Sequence, residues 1–157
     1  MKDKYLCEVA LRSPAHITLV PPFWMKVELE EKLIGDISEF SASQKNVLVT
    51  LNDFSHFKSR VIFIDVVPNE QLTQLQKDLT AFLREAGQYP VKEDDRSFHP
   101  HLTIATRDLY KKAFDEAWAI FKNKKFSADW MVKRISLLKY NKRTWDIIAN
   151  AEFGIVK

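Results

Sequence analysis

The sequence holds a single cysteine, Cys7, so no internal disulfide can form. Cys7 sits in an alternating apolar stretch and is expected to be a small buried thiol rather than a nucleophile. Only three glycines are present and there is no low-complexity linker, so a single domain over 1–157 is expected. No run of about 18 apolar residues occurs, which excludes a helical membrane span. The chain opens on Lys2, Asp3 and Lys4 without a long apolar stretch, so no secretion signal and a cytoplasmic location are expected.

Neither sign of charge dominates, with 24 Lys+Arg against 21 Asp+Glu and a net charge of +3. The balance is uneven, however. Residues 1–100 carry 12 basic and 15 acidic side chains, and residues 101–157 carry 12 and 6. Lys122, Lys124, Lys125, Lys133, Arg134, Lys139, Lys142 and Arg143 make up much of the basic half. Such a surplus suits an anionic partner, although a solvated basic face explains the charge equally well.

What is there is an ordinary globular balance, 46% hydrophobic and 29% charged. Strands are expected over 4–11 and 15–20, the second stopped by Pro21 and Pro22. A helix is expected over 27–40, then strands over 47–54 and 60–67 joined by a polar turn containing His56. The clearest helix is 71–86, with Leu72, Leu75, Leu79, Phe82 and Leu83 on one stripe and Gly87 as its cap. A loop over 91–97 leads to a strand over 99–106 and a helix over 111–122. Strands over 126–140 and 143–153 close the chain. Trp118 and Trp130 fit apolar stripes and read as core.

The halves echo each other at an offset of 85 residues, which carries His16 onto His101. The same offset carries the first helix near the third and the pair 47–54 and 60–67 onto 132–139 and 145–152. Each half then runs strand, helix, strand, strand. The fold expected is α+β, bilobal and pseudo-twofold, with two antiparallel sheets flanking a central cleft and helices outside.

The start of each half carries the chemistry. His16-Ile17-Thr18-Leu19 and His101-Leu102-Thr103-Ile104 share the pattern His, aliphatic, Thr, aliphatic. On a strand, His and Thr project to one face and the aliphatic residues to the other. Two such strands would offer two imidazoles and two hydroxyls to a shared cleft. A neutral imidazole takes a proton from an attacking hydroxyl or water, and a protonated one delivers it to a leaving oxygen. Threonine hydroxyls donate to non-bridging phosphate oxygens. A lone strand histidine is ordinarily a satisfied polar or surface group. The chain has four histidines, and two in matching tetrapeptides at matching points are another matter.

Those tetrapeptides and their flanks, Pro14-Ala15-His16-Ile17-Thr18-Leu19-Val20-Pro21-Pro22-Phe23 and Phe98-His99-Pro100-His101-Leu102-Thr103-Ile104-Ala105, resemble the two-histidine phosphoesterase superfamily. It includes bacterial 2′-5′ RNA ligases and cyclic phosphodiesterases. The likeness spans nearly the whole chain. It implies an active site between two lobes and metal-free making or breaking of phosphodiesters at 2′ positions, typically the opening of 2′,3′-cyclic phosphates. By position it makes His16 and His101 catalytic and Thr18 and Thr103 phosphate-binding. It implies no cofactor and, as substrate, an RNA 2′,3′-cyclic phosphate end or a small nucleotide. Many relatives carry an arginine two residues beyond the second tetrapeptide. Here that place is Thr106, followed by Arg107, which strand alternation puts in phase with His101 and Thr103 as a candidate phosphate ligand.

Three aromatic residues are candidates for base stacking. Phe23 follows the first motif, and Tyr140 and Trp145 flank a basic turn. His99 lies two residues before His101, but no carboxylate or cysteine has a matching spacing, so no metal site is expected. A monomer without membrane contact is expected. Two other readings remain: a 2′-5′ RNA ligase, which runs the same acid and base in reverse, and a non-catalytic RNA-binding module of the same fold.

Overall fold

Alternating apolar residues build a long antiparallel hairpin, β1 (Val47–Phe57) and β2 (Val61–Val66). Val47, Val49 and Leu51 point into the core, while β2 is apolar on both faces except at Asp65. Such a strand suits the inside of a sheet, and β2 does lie between β1 and β3 (His101–Ala105). With β4 (Ser127–Val132) on the far side of β1, the first sheet runs β3-β2-β1-β4, antiparallel throughout. A second sheet pairs β5 (Arg134–Tyr140) with β6 (Trp145–Glu152). The computed structural model describes residues 9–92, 97–106 and 110–154. Cys7 lies outside them.

Three α-helices cover the apolar sides of these sheets among the described residues. In α1 (Glu30–Ala42), Leu33, Ile37 and Phe40 are buried at helical spacing, and the helix packs on β5 and β6. In α2 (Glu70–Glu85), Leu72, Leu75, Leu79 and Leu83 form the buried stripe. Asn69 caps α2 by accepting the Leu72 N–H at 2.9 Å and ties it to β1 by donating to the Leu48 carbonyl at 2.6 Å. Gly87 ends α2 at φ +68°, a backbone that costs glycine little. In α3 (Lys111–Phe121), Phe114 and Ala117 pack on Ile62 and Ala105.

The α+β class, the two antiparallel sheets and the three helices follow the sequence reading. Five local expectations are corrected. Val9–Arg12 forms a short 3₁₀ turn beside β3 rather than the end of a strand over 4–11, whose other residues lie outside the described set. Along 15–20 only Ile17 makes a bridge, because Pro14, Pro21 and Pro22 leave few donors for a ladder. The strand over 126–140 divides at Lys133, whose carbonyl accepts the Phe153 N–H at 2.7 Å, so β4 and β5 join different sheets. His56 lies within β1 rather than in the turn. It rests on the Trp118 ring at 4.6 Å, while Trp130 proves 38% exposed on β4 rather than core.

Gly154 makes a close approach to the end of α1. Gly154 donates to the Ser41 carbonyl at 3.3 Å, and a Cβ there would collide with the Ala42 carbonyl.

Candidate active site

Ile17 and Leu102 form an antiparallel bridge. Continuing that register one residue each way sets His16 opposite Thr103 and Thr18 opposite His101. Cross-strand partners share a face, so Ile17 and Leu102 point together into the main core, as do Leu19 and Ile104. Strand alternation would then turn the two histidines and two threonines to the other face. On that continued register His16 and His101 would be diagonal neighbours.

The next strand completes the surface. Asp65 pairs with His101, and Phe63 pairs with Thr103. Two rows thus cross three segments: Asp65, His101 and Thr18 in one, Phe63, Thr103 and His16 in the other. Phe63 is fully buried beneath neighbouring rings. The His101 ring stands edge-on to Phe57 at 4.9 Å and against Phe63 at 5.0 Å, which limits its rotation.

Both imidazoles are oriented the same way. His16 Nδ1 lies 2.7 Å from the carbonyl oxygen of Pro14, and His101 Nδ1 lies 2.7 Å from that of His99. A carbonyl can only accept, so Nδ1 carries the proton in each ring and Nε2 is the nitrogen left for chemistry. Neutral, Nε2 is a base; protonated, it is an acid. A proline restrains each accepting carbonyl. Pro14 fixes its own φ, and Pro100 holds the preceding His99 extended.

The second motif has one further brace. His99 Nε2 lies 3.0 Å from Asp65 Oδ1, and its ring packs edge-on against Phe57 at 5.2 Å and Phe63 at 5.6 Å. Sequence spacing offers no carboxylate for His99, because Asp65 is 34 residues away along the chain. The available signal is Asp65 itself, the one charged residue in Val61–Val66. Phe57 and Phe63 give no sign beyond ordinary strand alternation. Among the described residues, no three His, Cys, Asp or Glu side chains gather as a metal site would require.

The other candidates stand elsewhere. Phe23 packs on Tyr89 at 6.3 Å and against the main core. Tyr140 and Trp145 pair across β5 and β6 with rings 5.2 Å apart. These ring contacts join Phe23 to Tyr89 and Tyr140 to Trp145, and neither pair includes a motif histidine. Arg107 lies outside the described residues. Several cations of the basic half have acidic partners: Lys125 with Asp53, Arg134 with Glu152, and Lys139 with Glu30. The Lys125 ammonium, with the Phe126 N–H, holds the Asp53 carboxyl below its usual range.

Residues 2–144 match the family model described as the 2′-5′ RNA ligase superfamily. Two solved structures share the fold. One is titled a phosphoesterase and is 18% identical, with a TM-score of 0.62 over 90% of this chain and 78% of that one. The other, TT0787 of Thermus thermophilus, is also 18% identical, with a TM-score of 0.65 over 88% and 78%. No curated protein matches. No helix among the described residues is long and apolar enough to cross a membrane.

Proposed function

The chain belongs to the 2′-5′ RNA ligase superfamily, and on that footing we propose that it opens 2′,3′-cyclic phosphates of RNA ends or small nucleotides without a metal. The observation that supports the reading is the Ile17–Leu102 bridge, since its register, continued one residue each way, would bring two imidazoles and two hydroxyls onto one face.

In the proposed reaction the phosphate lies between His16 and His101. One Nε2 takes a proton from water as its oxygen bonds to phosphorus. The other Nε2 gives its proton to the ribose 3′ oxygen as that P–O bond breaks, leaving a 2′-phosphate. Thr18 and Thr103 donate to the non-bridging oxygens, where charge builds up. The brace from Asp65 through His99 keeps the His101 ring in line. Arg107 is a further proposed phosphate ligand, and Phe23, Tyr140 and Trp145 are proposed base contacts. With an RNA 5′-hydroxyl in place of water as the nucleophile, the same acid and base would form a 2′-5′ linkage as the 3′ oxygen leaves.

In this proposal the halves at 16–19 and 101–104 belong to one domain of two pseudo-repeated lobes. It acts as a monomer in the cytoplasm. The test is turnover of a short RNA ending in a 2′,3′-cyclic phosphate by chelator-treated protein. Hydrolysis should persist unchanged in EDTA, and its loss with recovery on adding a divalent cation would refute the metal-free reading.

A further inference from the structure

The two motifs are held differently. β3 pairs with β2 along its length, whereas the segment carrying His16 joins β3 by the single bridge at Ile17. Ile17, Leu19 and Val20 pack on the main core. Apolar packing is non-directional, so it holds this segment down without fixing where it lies along its own axis.

A directional tie lies just beyond the motif. Phe23 packs on Tyr89, with ring centroids 6.3 Å apart. Tyr89 is buried, and its hydroxyl donates to Asp36 Oδ2 on α1 at 2.6 Å. The same carboxylate oxygen accepts from Lys32 Nζ at 2.6 Å, one turn earlier on α1. That ammonium also stands 5.9 Å from the centre of the Tyr89 ring. The phenol is thus held at both its hydroxyl and its ring. Between Phe23 and the motif stand Pro21 and Pro22, whose rings lock φ and stiffen the connection. Outside the ring pair the two segments are parted by a concavity of about 1060 Å³, lined by Trp24, Met25 and Leu29 on one side and Gln88 and Pro90 on the other.

We infer that Tyr89, held by Asp36, is a positioning residue for His16 and sets the place of the first motif through Phe23 and the two prolines. The arrangement parallels the second motif, where Asp65 holds the ring of His99 beside His101. The inference rests on the phosphoesterase reading above, and one arm of its test does not need turnover.

The variants are Tyr89→Phe, which keeps the ring but removes the hydroxyl, Asp36→Ala, which removes the acceptor, and Asp36→Asn, which keeps an acceptor oxygen. They are assayed on cytidine 2′,3′-cyclic phosphate well below their own unfolding temperatures. Tyr89→Phe and Asp36→Ala should each lower kcat about tenfold with KM within about twofold, the mark of a slightly misplaced acid or base. Asp36→Asn should recover most of the loss. Added to His16→Ala, Tyr89→Phe should lower the residual rate no further, because the group it positions is already gone. An unchanged kcat, a loss carried by KM, or a full further loss in the His16→Ala background would overturn the inference.

The other arm is the nuclear Overhauser contact between Ile17 and Leu102. It should weaken in Tyr89→Phe while that between Ile64 and Leu102, inside the sheet, stays as in wild type. If wild-type protein turns over no cyclic phosphate, the phosphoesterase reading fails alone and this contact decides. An Ile17–Leu102 contact as strong in Tyr89→Phe as in wild type would then overturn the anchoring role.

Discussion

His101 Nδ1 and the carbonyl oxygen of His99 lie 2.7 Å apart, and His16 repeats this bond with Pro14 at the same distance. The two imidazoles thus make the same bond, each with Nε2 on the ring edge away from the accepting carbonyl. The difference lies behind them. Pro14 is rigid through its ring, whereas His99 is held through its side chain by Asp65 at 3.0 Å.

That difference is testable by a double-mutant cycle. Asp65→Ala and His99→Ala should each lower kcat about three- to tenfold with little change in KM. The double variant should be no worse than either single one, because both remove the same brace. His99→Gln, whose amide can still donate to Asp65, should recover most of the loss. Additive effects, or effects confined to KM, would show that the two side chains act separately.

Removing the hydroxyl of Tyr89 should cost stability in a defined pH window. Burial, then its bond to Asp36 at 2.6 Å, raises the Tyr89 hydroxyl well above its usual value. Asp36 feels burial as an opposing influence, yet bonds from Lys32 and Tyr89 hold it below the usual carboxylate range. The raised tyrosine stabilises the fold below about pH 10 and loses that contribution as pH rises further. The lowered carboxyl stabilises it above about pH 4 and loses that contribution as pH falls. Tyr89→Phe should therefore lower stability by about 1.5 kcal/mol at neutral pH, read by denaturant melts. The gap from wild type should narrow at both extremes.

Gly154→Ala should destabilise the protein by about 1–3 kcal/mol, since the added methyl meets backbone rather than a side chain that can move aside. Thermal unfolding reads this, and an unchanged Tm would mean that the 41–44 corner gives way.

Much of this is legible in the sequence. The H-x-T-x pairs stand out because strand alternation leaves a local mark, and the leucine stripe of α2 because a 3.6-residue period does. The partners of His99 and His101 are not legible. Asp65, Phe57 and Phe63 reach them by cross-strand register, which is set by pairing over tens of residues and leaves no local pattern. The break at Lys133 is hidden for a similar reason. Residues 126–140 alternate well enough for one strand, and only the Phe153 bond reveals the corner. The first motif looks like a full strand because its alternation is intact, whereas the flanking prolines confine its pairing to the single bridge at Ile17.

The assignment of His16 and His101 as acid and base of one phosphoester reaction is tested most directly by phosphorus NMR. A nucleoside 2′,3′-cyclic phosphate is incubated with wild-type protein, His16→Ala and His101→Ala. Wild type should yield a 2′-phosphate, and each variant should be slower by about 10²–10⁴, the usual worth of a positioned acid or base. Conversion by either variant at the wild-type rate would contradict the assignment.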